Sequence, residues 1–159
     1  MPASPPHAPT EADSAADPAA AIDRRLAAGE RVVLFDGVCS LCNGTVDLLL
    51  ARDARRRLAF GSLQSDGAQA YLARAGRDAD ALLDSVVLID GDGVHERSEA
   101  ALRIARALGG PWALLAGLRV VPAPVRDAVY DWVAARRYRW FGRRETCRLP
   151  SPAERDRFV

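Results

Sequence analysis

The sequence predicts an α/β domain of order β-α-β-α-β-β-α followed by a helical extension. Three observations carry that expectation. Short β-branched runs alternate with helical stripes between residues 31 and 108. A Cys-x-x-Cys stands where the first run hands over to the first stripe. An Asp-Gly-Asp-Gly turn folds two later runs into a hairpin.

The chain has 159 residues, a length that suits one domain, and 49% of them are apolar, enough for a core without covalent staples. We expect a disordered tail over 1–20 and a single domain over 21–159, with its core at 31–108 and the extension at 109–159. The tail (MPASPPHAPTEADSAADPAA) offers almost no bulky apolar surface to offset ordering entropy. It lacks a basic stretch leading into an apolar run, so it does not read as a secretory signal. The longest apolar stretch, 111–121, contains Gly117 and Arg119 and is too short to span a bilayer. The formal net charge of +1 gives no field that would draw nucleic acid or an anionic membrane. Every basic residue is arginine, which excludes Schiff-base chemistry on lysine. These features point to a cytoplasmic protein without a transmembrane segment.

Taken in order, 21–29 (AIDRRLAAG) reads as a lead-in helix ending at Gly29. Residues 31–35 (RVVLF) form a buried strand, broken by Asp36–Gly37. From Cys42 onward, Val46, Leu49 and Leu50 keep helical spacing. Residues 58–63 (LAFGSL) are a second strand and 67–75 a second helix. Residues 85–89 (SVVLI) and 94–97 pair across the turn at 90–93. Ser98 is placed to cap a helix with Glu99 in its first turn, and Gly109–Gly110–Pro111 stops that helix. This is the thioredoxin-like order. In the extension, Pro124 opens an amphipathic helix on which Val125, Ala128, Val129, Trp132 and Val133 share one face.

The chemistry concentrates in Cys39–Ser40–Leu41–Cys42. A bridge between them would close almost no loop, so it has little structural value and suits reversible redox chemistry. Cys39 precedes the helix, where unpaired N–H groups and the helix dipole stabilise a thiolate, and it is expected to face solvent as the nucleophile. Cys42, one turn in and more buried, is expected to resolve the mixed disulfide. Asp36 has two open uses: moving protons between the thiols, or shaping the turn through its side chain. Asn43 and Thr45 read as first-turn residues.

Other readings compete. A zinc- or copper-binding module would use Cys39 and Cys42, with or without Cys147, since only His95 and His7 remain as imidazole ligands. Cys147, between Arg144 and Arg148, is either a third redox thiol or a plain surface cysteine. Segment 136–148 holds six arginines interleaved with Tyr138, Trp140 and Phe141 against one acid, Glu145. It either stacks Arg on aromatics within a folded cap, which the near-neutral charge favours over nucleic-acid binding, or docks a partner. In that last case the chain would be an interaction domain. His95 reads as a satisfied strand residue.

FDGVCSLCNGTV at 35–46, LQS at 63–65, GGPW at 109–112 and YDWVAARRYRWFGRRETC at 130–147 together resemble the DCC family. These are thiol-disulfide oxidoreductases of thioredoxin-like type, named for D-x-x-C-x-x-C, here Asp36, Cys39 and Cys42. The resemblance runs from about residue 31 onward. It implies dithiol–disulfide exchange without a bound cofactor, acting on a disulfide-containing protein or a small thiol and fed by a separate electron donor. Unlike typical thioredoxins, the chain has no Trp before Cys39, no Pro within the pair and no Pro before the 85–89 strand, so its substrate surface differs from theirs.

Overall fold

The computed structural model describes residues 17–159. The expected tail falls mostly outside the described residues, but Ala19 and Ala20 are buried, so the packed region starts just before the anticipated boundary. Helix α1 (Ala20–Ala27) leads into β1 (Arg31–Phe35), α2 (Ser40–Arg52), β2 (Leu58–Ser62) and α3 (Asp66–Arg74). The hairpin β3 (Val87–Asp90) and β4 (Gly93–Glu96) then precedes α4 (Arg97–Leu108). The sheet order is β2-β1-β3-β4, with β1 parallel to β2 and antiparallel to β3. The chain is therefore a mixed α/β protein with the thioredoxin-like arrangement.

The strands are short continuous apolar runs because both faces of the sheet are covered. Val32 and Leu34 of β1 point to one face and pack with Ile22, Ala68 and Leu72 from α1 and α3. Val33 and Phe35 point to the other, against Val46 and Leu49 of α2 and Ala100 and Ile104 of α4. The parallel β1–β2 pair needs a crossover, and α2 supplies it. That connectivity sets the N-terminus of α2 at the C-terminal end of the central strand, which is where the cysteines fall.

Ser98 is not the helix cap the sequence predicts. Glu96 occupies that position, α4 opens at Arg97 with φ +55°, and the Ser98 hydroxyl is engaged by Asp127 of the extension. The extension runs through successive 3-10 turns (Gly110–Val120) into α5 (Ala123–Ala134) and a short α6 (Arg137–Phe141). The apolar stripe of α5 does not enter either core: Val125, Val129 and Trp132 are 54%, 61% and 52% exposed. In the last residues Phe158 packs its ring on Phe60, and the Val159 N–H donates to the Phe60 carbonyl.

A buried ion pair fixes this terminal segment. Arg157 Nη2 lies 2.5 Å from Asp53 Oδ2 and its guanidinium also donates to the Leu58 carbonyl, while Asp53 accepts from the Leu58 and Arg57 N–H groups. Removing one member leaves the other buried and unpaired, which typically costs about 3–5 kcal/mol. Arg157→Ala is therefore expected to lower the unfolding free energy by an amount of that order, read as a lower urea midpoint with little change in slope. A loss below about 1 kcal/mol would show that the pair contributes little.

Candidate active site

Cys39 is the N-cap residue of α2, and its sulfur takes the place that a serine or aspartate oxygen usually fills. The Cys42 N–H, in the third position of the helix, donates to Cys39 Sγ at 3.2 Å. The two thiols are close and unbridged, and their acidities are split. The Cys39 thiol is lowered to about 6, chiefly by hydrogen bonding from the Cys42 thiol. The Cys42 N–H and the Arg137 guanidinium lower it further, while burial and Asp36 oppose them. Cys42 is raised, first by donating to Cys39 and then by burial. One sulfur is thus held as thiolate at neutral pH and the other as its proton donor.

The turn before the pair is built by side chains from across the fold. Asp36 is buried, and its Oδ1 accepts from the Val38 N–H at 3.1 Å and from Gln64 Nε2 at 2.8 Å. Its Oδ2 accepts from Arg137 Nη2 at 3.2 Å and from the Tyr138 hydroxyl. Arg137 reaches further, to the Leu83 carbonyl and Asp84. Gln64 also accepts from the Gly37 N–H. Asn43, wholly buried, clamps the turn by donating to the Gly37 and Cys39 carbonyls at 2.9 and 2.8 Å. The turn-shaping geometry anticipated for Asp36 is present, joined by a buried ion pair to the extension.

Exposure of the two cysteines is the reverse of the sequence expectation. Cys39 is 0% exposed and Cys42 half-buried. The cause is a C-terminal strap, residues 142–148, lying along the redox turn. The strap pairs Arg143 with Cys39 in an antiparallel bridge, and the Arg144 and Arg148 N–H groups donate to the Val38 and Gly37 carbonyls. Cys147 is exposed on this strap and passes so close to the turn that a Cβ on Gly37 would sit 3.3 Å from its sulfur. A side chain at that position would press on the strap and on the Ser62 hydroxyl. On its other side Cys42 borders an apolar cavity between α2, α4 and the extension.

Among the described residues no group of three or more His, Cys, Asp or Glu side chains is close enough to hold a metal ion. His95 hydrogen-bonds Asp90 at 2.9 Å in the hairpin, away from the pair. The Arg/aromatic segment stacks internally: Arg136 lies over Trp132 with 4.3 Å to the ring centroid, and Arg137 and Arg143 both lie over Tyr138. Gln64 and Arg137 are site residues that local sequence reading did not single out, while Asn43 is expected only as a first-turn residue and Tyr138 only as part of the Arg/aromatic segment. Gln64, Arg137 and Tyr138 fall within the quoted family segments at 63–65 and 130–147, and Asn43 within 35–46.

A thioredoxin-like domain with a helix-capping Cys-x-x-Cys belongs to the redox thiol class. Residues 33–143 match the DCC1-like thiol-disulfide oxidoreductase family, and the chain belongs to that family. It is 46% identical over 129 residues to the protein YuxK of Bacillus subtilis (strain 168), covering 81% of this chain and 93% of that protein. It is 42% identical over 119 residues to a chloroplastic DCC family protein of Arabidopsis thaliana, covering 74% and 69% respectively. No solved structure matches the chain. No helix among the described residues is long and apolar enough to cross a membrane.

Two predictions follow from the geometry. Thiolate absorbance at 240 nm should rise with a midpoint near pH 6, against about 8.5 for a free thiol, and the step should vanish in Cys39→Ser. The folded value lies below the unfolded one, so ionisation favours the folded state. That contribution is complete above roughly pH 8.5 and is lost as the pH falls through about 6. Asp36→Asn removes a charge that raises both thiols and frees Arg137, so the midpoint should move lower still. An upward move would contradict this electrostatic account.

Proposed function

We propose that the protein performs reversible dithiol–disulfide exchange, with Cys39 as nucleophile and Cys42 as the resolving thiol. The observation that carries this reading is the split acidity of two sulfurs held together at a helix N-terminus. In the reducing direction the Cys39 thiolate attacks one sulfur of a substrate disulfide. The substrate S–S bond breaks, and the departing thiolate takes up a proton. Cys42 loses its proton and attacks Cys39, forming the Cys39–Cys42 disulfide and releasing the substrate's second sulfur as a thiol. Two electrons and two protons pass to the substrate, and a separate thiol donor returns them in the reverse sequence.

Asp36 acts as a positioning residue in this scheme. Its oxygens are taken up by Val38, Gln64, Arg137 and Tyr138, so it holds the turn and tempers the pull of Arg137 on the thiolate. The substrate is a disulfide-containing protein or small molecule. A free dithiol suits a reducing compartment such as the cytoplasm.

The test is equilibration with glutathione redox buffers, followed by mass analysis. A potential between roughly −270 and −180 mV is expected, the range of thioredoxins to disulfide isomerases. Cys42→Ser should accumulate a mixed disulfide on Cys39, and Cys39→Ser should accumulate none. Accumulation on Cys42 in Cys39→Ser alone would reverse the assigned order, and no oxidation of the pair across the buffers would end the exchange reading.

A further inference from the structure

The sulfur pair is closed on one side and open on the other. The strap shields Cys39 completely, whereas Cys42 lines a cavity of about 620 Å³. Pockets that enclose small ligands run from roughly 300 to 1,000 Å³. The walls are contributed by Val33 and Phe35 of the sheet, Leu49 of α2, Ile104 of α4, and Trp112 and Val129 of the extension. Such a surface has little to offer a polar tripeptide disulfide and much to offer a hydrocarbon chain.

The cavity also contains cationic groups with unused hydrogen-bonding capacity. Arg126 lines it, and its Nε and Nη1 are buried without a hydrogen-bond partner among the described residues. The reason lies in the neighbouring acid. Arg103 and Arg119 both donate to Glu99 Oε1, and Arg126 Nη1 faces Glu99 Oε2 at 3.7 Å, an ion pair too long to be a hydrogen bond. Arg137, whose side chain is 5% exposed, also lines the cavity with its Nε unpartnered. Buried guanidinium donors left unmatched are costly, and an oxyanion or carbonyl oxygen brought by a guest would satisfy them.

We infer that this cavity binds a small amphipathic acid, with its apolar chain against the walls beside Cys42 and its carboxylate at Arg126. Arg126 is a binding residue here, since it meets the guest's head group.

The test compares ligands on the reduced, full-length protein. Octanoate and its methyl ester share a chain and differ in charge. By calorimetry octanoate should bind saturably and roughly tenfold more tightly than the ester, the low end of what a hydrogen bond to a charged group contributes. In Arg126→Gln that preference should disappear, and Arg126→Lys should restore part of it. Equal affinity for acid and ester, or no binding of either, overturns the inference even if glutathione disulfide is reduced and exchange itself stands. Octanoate binding with no disulfide reduced by the pair would instead remove the exchange reading alone.

Discussion

The architecture of the site depends on one buried carboxylate. Asp36 is sealed from water, and a charge in that position persists only when it is paired and hydrogen-bonded. Its four partners come from three places in the chain: the turn itself, the loop just after β2, and two successive residues that open α6. The central strand therefore cannot deliver Cys39 to the helix N-terminus independently of the extension. Asn43 completes the fixation from the helix side by holding the Gly37 and Cys39 carbonyls. The result is a turn whose geometry is set by residues more than a hundred positions apart.

Electrostatically the same group works against the chemistry it supports. Its negative charge raises both thiols, while Arg137 lowers them, so the ion pair places two opposing charges beside the sulfurs. The acidity of Cys39 then comes chiefly from its own neighbour, the Cys42 thiol, with the helix N–H adding to it. This arrangement makes the reactivity of the pair a local property of one helical turn. The extension supplies rigidity, cover and the far wall of the cavity.

Much of the core was legible because its signals are local. The β1 run is β-branched and bounded by turn residues, and it occupies Arg31–Phe35 as expected. The hairpin follows from Asp90–Gly91–Asp92–Gly93, and the α2 register from Val46 and Leu49. Ser98 misled because a capping residue is recognised by position, whereas its hydroxyl is claimed by Asp127, 29 residues later. The exposure of Cys39 was misjudged for a similar reason: nothing near the cysteines announces a strap that begins at residue 142. Arg137 and Arg157 sit among many arginines, and only the fold distinguishes those that meet a buried acid from those that stack on aromatics or remain in solvent.

The family match ends at residue 143, just inside the strap, yet the stretch that follows runs along the turn that holds the nucleophile. Reach to the sulfur is consequently governed from a part of the polypeptide remote from the cysteines along the chain. Changes in that closing stretch can alter who is admitted while the redox centre keeps its own composition, so gatekeeping and electron transfer are separable duties within one small molecule.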